Sequence, residues 1–142
     1  DCKIDTLFPD ADGNYTQFTT TNPASPTTHW DKVEEPAVDT TSYNETVTAN
    51  HKDTFTMDDL ATITNETIFG VQQVSHGQDT AGTSNFRNIL RISSTDYNGA
   101  TQALLNATDA FYMEPWDQDP NAGPGAWVAS VIDGMESGYE DL

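Results

Sequence analysis

The sequence has one cysteine, Cys2, in 142 residues. A lone thiol excludes an internal disulfide and a thiolate zinc framework. So close to a terminus it reads as a free thiol, with pairing between chains as the alternative. Basic residues are nearly as scarce: five Lys and Arg stand against 23 Asp and Glu, a formal net charge of −18. Nucleic-acid backbones and anionic bilayers both attract basic footprints, so neither is expected as a partner. No apolar run approaches the roughly 20 residues that span a bilayer, and none follows Asp1, so no membrane span and no signal peptide are expected. Histidine is limited to His29, His51 and His76, none at a metal-ligand spacing. The Gly-x-Ser-x-Gly elbow and the phosphate-binding loop are both missing.

What is present is acid, threonine and short apolar alternation. The carboxylates are spread along the chain (Asp10, Asp31, Asp58, Asp59, Asp96, Asp117, Asp141) and form no acidic tail. Dispersed acid suits a solvated surface or a basic partner, and solubility alone is an equal reading. The length fits a single domain over 1–142 with one core. Thr-rich, aromatic-containing segments between Gly, Pro, Asn and Asp clusters read as short strands and turns, without solenoid or propeller repeats.

Along the chain, Asp10 to Asn14 reads as a turn and Tyr15 to Thr19 as a strand. Thr20 to Pro26 reads as a loop, and His29-Trp30 opens a segment closed at Pro36. Asp53 to Met57 places Phe55 and Met57 on one face. Thr67 to His76 offers a strand with Phe69 and Val71 opposed to Ile68 and Val74. Phe86 to Ser93 is the clearest strand, with Phe86, Asn88, Leu90 and Ile92 on one face and Arg87, Ile89 and Arg91 on the other. Asp96-Tyr97-Asn98-Gly99 reads as a tight turn, since Asn-Gly supplies positive φ. Thr108 to Trp116 is a strand with Phe111 and Met113 opposed to Ala110, Tyr112 and Glu114. After a loop over Asp117 to Gly125, the apolar stripe of Trp127, Val131 and Met135 predicts a helix over Ala126 to Met135. Gly138 ends it, and Tyr139 to Leu142 adds a last short strand. The expected fold is mainly β: an antiparallel β-sandwich, jelly-roll-like, with one short helix near the C-terminus.

Candidate chemistry is sparse. Asp10, Asp12 and Asn14 offer alternating oxygen ligands for calcium, but Gly13 comes early for an EF-hand and Thr21 stands where a bidentate Glu is needed, so ordinary Asx turns compete. Asp117-Gln118-Asp119 is a second oxygen-rich loop. Glycoside hydrolysis needs two carboxylates across a cleft, and among 23 acids chance pairs carry no information. Trp30, Trp116, Trp127, Tyr97 and Tyr112 are candidates for a sugar platform, with Trp116 and Trp127 read as core. Asn-x-Thr triplets at Asn14, Asn44, Asn65 and Asn106 match a glycosylation acceptor, as chance also would in so Asn- and Thr-rich a chain. No catalytic residue and no cofactor are expected. Arg87 and Arg91 are expected to neutralise nearby carboxylates, with an intersubunit salt bridge as the sharper alternative.

An ordered series of segments resembles a family of small virion structural proteins of tailed bacteriophages, frequent in marine and environmental phages. It runs through Phe69-Gly70-Val71-Gln72, Asp79-Thr80-Ala81-Gly82, Ala100 to Leu104, and Ala110-Phe111-Tyr112 through Trp116 to Asp119-Pro120-Asn121. Ala126-Trp127 and Met135-Glu136-Ser137-Gly138 complete it, with looser matches over Asp10 to Thr20, His29 to Pro36 and Asp53 to Leu60. About three quarters of the chain is covered. Val128 replaces the Thr cap of the family pattern, and Gly123-Pro124-Gly125 departs from it. The resemblance implies a non-enzymatic protein on the virion exterior, a capsid decoration or cement protein present as a homo-oligomer or in many copies. Its partners are then the major capsid protein or tail subunits; a glycan-binding receptor module on a tail or fibre is the alternative. Decoration proteins attach through arms, so residues 1–8, with Ile4, Leu7 and Phe8 as apolar anchors, form the expected assembly contact. The same residues also suit a first strand of the domain.

Overall fold

The computed structural model describes residues 3–25, 28–61, 67–80, 82–123 and 125–142. It is mainly β, with antiparallel sheets and one short helix near the C-terminus, as the sequence leads one to expect. The strands are β1 (Pro9–Thr16), β2 (Thr20–Asn22), β3 (Tyr43–Glu45), β4 (Lys52–Met57), β5 (Val71–Gly77), β6 (Asn85–Ile92), β7 (Thr95–Asn98), β8 (Gln102–Ala103), β9 (Ala110–Trp116) and β10 (Glu136–Asp141); the helix α1 is Ala129–Ile132. The main sheet has the order β1-β4-β10-β6-β7, and β8 continues the β7 edge alongside β6. Two ribbons, β2-β3 and β5-β9, stand apart from it. The sheet does not close into a barrel.

Alternation along β4, β10 and β6 divides the main sheet into two faces. One carries Asp53, Phe55, Tyr139, Asn88, Leu90 and Ile92, and it is covered. Over Leu90 and Ile92 lie Trp127, Ile132 and Met135, joined by Val71 and Trp116. Burying each such side chain stabilises the fold by about 1.5–3 kcal/mol. Beside this cluster the β5-β9 ribbon rests on the sheet. Gln73 Nε2 donates to the carbonyls of Ile89 (3.1 Å) and Gly138 (2.6 Å), Ser75 Oγ pairs with Asn88 Oδ1, and Phe86 meets Tyr112 edge-on. On the β4 side, Phe18 and Phe55 flank the Tyr139 ring. The result is sandwich-like, with ribbons and a short helix as the second layer.

The other face carries Lys52, Arg87 and Arg91 among Glu136, Glu140 and Asp96. Lys52 and Arg91 converge on Asp96, Arg87 binds Glu140, and Tyr15 lies over Lys52 and Arg91. Both arginines therefore neutralise carboxylates within the chain. Burial alone would raise Asp96, but hydrogen bonds from Lys52 and Arg91 outweigh it and hold the carboxyl below its ordinary 3.8. Lys52 is raised: burial pulls it down, but Asp96 and Glu140 pull harder. Burial, reinforced by Asp53, lifts the Tyr139 hydroxyl far above its ordinary 10.0. Lys52 and Tyr139 both have raised folded values, so their stabilisation is complete below the unfolded values and lost as pH rises through the folded ones. The stability measured by urea unfolding is therefore expected to fall once pH passes 10.0, and Tyr139→Phe removes part of that fall.

Several local expectations are corrected. Residues 10–14 lie in β1, not a turn, and the strand ends at Thr16. β1 bulges there: from Asp12↔Phe55 to Thr16↔Asp53 it takes four steps while β4 takes two. Gly13 sits at this bulge because a Cβ would fall 2.6 Å from Thr54 Oγ1 and 2.7 Å from the Thr54 carbonyl. Thr20–Asn22 is a strand, and Trp30–Lys32 is a 3₁₀ turn. The tight turn is Ser93-Ser94, both at positive φ, and Thr95–Asn98 is the returning strand. β5 begins at Val71, leaving Phe69 outside it and exposed. The helix covers only Ala129–Ile132; Trp127 and Met135 are buried, but from the flanking chain. The last strand starts at Glu136 and is central, paired with β4 and β6.

Candidate functional surfaces

The structure disperses the calcium candidates. The β1 bulge sends Asp10 to Thr56 Oγ1 (2.7 Å) on one side of the sheet. It turns Asp12 to the other, where Oδ1 accepts the backbone N–H groups of His29 (2.9 Å) and Trp30 (2.7 Å). Asn14 is held by its own N–H to Glu136 Oε2. Asp119 caps the 3₁₀ turn Pro120–Ala122 by accepting from Asn121 N, an Asx role. Among the described residues, no three His, Cys, Asp or Glu side chains are grouped to hold a metal ion.

Of the three expected assembly anchors, only Ile4 is free, at 87% exposure. Leu7 packs against the core cluster, and the Phe8 carbonyl accepts from Asp58 N. Residues 3–8 make no strand, and of the three anchors it is Leu7 whose side chain packs on the body. Cys2 and Asn65 lie outside the described residues. Trp127 is buried, and its Nε1 donates to the Trp116 carbonyl, so these two form core and no sugar platform.

The first notable surface is the outer face of the β5-β9 ribbon. Pairing of Val74 with Met113 and His76 with Phe111 puts Gln72, Val74, His76, Phe111, Met113 and Pro115 on one side. The opposite side, Val71, Gln73, Ser75, Tyr112, Glu114 and Trp116, faces the sheet. A solvated ribbon should turn its more apolar side inward. Here Val71, Tyr112 and Trp116 are turned in together with Gln73, Ser75 and Glu114, yet the outer side is apolar as well, with Val74 (54%), Phe111 (59%) and Met113 (58%) exposed. The His76 ring packs at a tilt against Phe111, and the face carries no carboxylate. Sequence alternation showed the two sides but not which one is buried.

The second is a groove beside a buried His29–Asp53 hydrogen bond. Asp53 is fully buried on β4, and its Oδ1 accepts the N–H groups of Gln17 (2.7 Å) and Phe18 (2.9 Å). Its Oδ2 lies 2.6 Å from His29 Nδ1. Burial pushes the Asp53 carboxyl up, against the pull of the Phe18 N–H and of His29. Asn44 Nδ2 donates to the His29 carbonyl (3.0 Å) and to the Tyr139 hydroxyl, tying the β2-β3 ribbon to the same cluster. Twenty-four residues separate His29 from Asp53, and no periodic signal links them.

Compared with family models, curated proteins and solved structures, the chain matches none of them.

Proposed function

We propose that this chain is a non-enzymatic structural protein of a tailed-phage virion, borne in many copies on the particle exterior as a capsid decoration protein. The observation that carries the assembly role is the β5-β9 ribbon, which is apolar on its outer face as well as on its inner one. It exposes Val74, Phe111 and Met113 while burying Gln73, in a chain of net charge −18. Exposed contiguous apolar surface marks a protein contact, and local departures from apolar-in patterning concentrate at functional places. A carboxylate-free face lets an acidic chain seat itself on a capsid or tail subunit without desolvating charge. The phage assignment rests on the ordered resemblance described above. Four of the five basic residues are engaged in intramolecular ion pairs, so the remaining exterior is acidic and faces solvent.

Val74→Lys with Met113→Glu tests this reading, since opposite charges on this directly facing pair charge the surface without cross-strand repulsion. Both side chains are exposed, so the melting midpoint should be unchanged, within the roughly ±0.5 kcal/mol of ordinary surface substitutions. Incorporation into particles, measured by sedimentation with them, should be lost. Normal incorporation of the folded double variant would reject the face as the contact.

A further inference from the structure

The groove beside His29 has an open volume of about 460 Å³, within the roughly 300–1,000 Å³ of small-ligand pockets. Its lining includes Thr16, Phe18, Thr19, Thr20 and His29. Two neighbouring hydroxyls are spent internally: Thr21 Oγ1 bonds the Ser25 backbone, and Ser25 Oγ bonds Thr28. The hydroxyls of Thr16, Thr19 and Thr20 have no partner among the described residues and are exposed. His29 is more than nine-tenths buried, with Nδ1 committed to Asp53. Its Nε2 has no hydrogen-bond partner among the described residues, and His29 lines the groove. With Asp53 ionised, Nδ1 carries the proton and Nε2 presents a fixed acceptor lone pair.

The lining residues therefore carry three unpaired hydroxyls that both donate and accept, one oriented acceptor and the partly exposed Phe18 ring. Among the described residues, no Lys, Arg, Asp or Glu lines it. An anion would find no Lys or Arg and a strongly acidic chain around it. A metal cation would find one nitrogen and no carboxylate. A ring of hydroxyls with an apolar C–H face meets every group present. We infer that this groove binds a short neutral saccharide, with the Thr16, Thr19 and Thr20 hydroxyls and His29 Nε2 bonding its hydroxyls and Phe18 lying against its C–H face. This site lies on the β1–β2 connection and β2, apart from the outer face of β5-β9, and does not depend on the assembly role.

The test is a two-dimensional amide NMR titration of the full chain with the methyl glycosides of glucose, galactose, mannose and N-acetylglucosamine. At least one should give saturable, millimolar shifts confined to Phe18–Thr21 and His29. Thr19→Val and Thr20→Val alter exposed, unbonded hydroxyls, so both should fold normally and weaken that binding about threefold or more each. Val74→Asp should leave it unchanged. Absence of saturable shifts with all four glycosides would overturn the inference. So would binding indifferent to both threonine variants, or inorganic phosphate shifting the same amides at comparable concentration.

Discussion

Gly138→Ala is expected to abolish the cooperatively folded protein. Gly138 occupies β10 between β4 and β6, facing Thr54 and Ile89 across the two ladders. A Cβ there would collide with the Asp53 carbonyl and stand 2.8 Å from Thr54 Cα, both backbone atoms of the adjacent strand. Backbone in a central strand has no rotamer to yield, so β4 and β10 must separate. Ordinary overpacking costs about 1–3 kcal/mol, and displacement of a central ladder belongs to the exceptional class above about 4 kcal/mol. Against a total stability of about 5–15 kcal/mol, that removes much or all of the folded state. Circular dichroism melts should show a lost or drastically lowered transition. Gly77→Ala is the matched control. A Cβ at Gly77 meets nothing within 4 Å, and its backbone is not at positive φ, so the change should be neutral or slightly stabilising.

Asp53→Ala is expected to destabilise by about 3–5 kcal/mol, because it removes a fully buried acceptor on which three donors converge. Gln17 N–H, Phe18 N–H and His29 Nδ1 all lose their acceptor. Asp53→Asn keeps an oxygen for the two backbone donors and should cost only about 1–2 kcal/mol. The pair also sets a pH signature. The folded Asp53 carboxyl lies above its unfolded 3.8. Its contribution is therefore complete below 3.8 and declines as pH rises through the folded value. Asp141 is raised too, chiefly by burial, and acts in the same direction, while Asp96 acts oppositely. Asp53→Asn should remove the Asp53 part of the decline in urea-unfolding stability above pH 3.8 and leave the rest.

Much of the sheet was legible because its signals are local. Phe86, Asn88, Leu90 and Ile92 against Arg87, Ile89 and Arg91 is a period-two pattern, and β6 has those faces. β4 and β9 were read for the same reason. β10 was underestimated because Glu136, Gly138 and Glu140 are poor strand formers. What holds it central is nonlocal: ladders to β4 and β6, with Arg87 on Glu140. The β6-β7 turn was misplaced because Asn98-Gly99 carries the stronger hairpin signal, whereas Ser93 and Ser94 adopt positive φ with none. The helix was overextended because Trp127, Val131 and Met135 share a helical stripe. Only the four residues between Val128 and Asp133 form it, while Trp127 and Met135 reach the core from either side.

The candidate sites were less legible. His29, Asp53, Asp12 and Asn44 come from four segments, and only folding brings them together. Of the apolar anchors in residues 1–8, Leu7 packs against the core cluster and Ile4 is exposed. The alternation of Phe111 and Met113 with Tyr112 and Glu114 was visible. The ribbon turns the Phe111 and Met113 side outward because Tyr112, Trp116 and Val71 pack inward and Gln73 reaches the Ile89 and Gly138 carbonyls, contacts no pattern announces.

Met113 makes the assembly proposal directly measurable, since its thioether is exposed at the centre of the outer ribbon face. Purified particles and the free chain would be given the same brief peroxide pulse and analysed by quantitative mass spectrometry. The expected result is the chain present in many copies per particle, with Met113 oxidised at least about tenfold more slowly than in the free chain. A chain absent from particles, or Met113 oxidised equally fast in both, would contradict the proposed role.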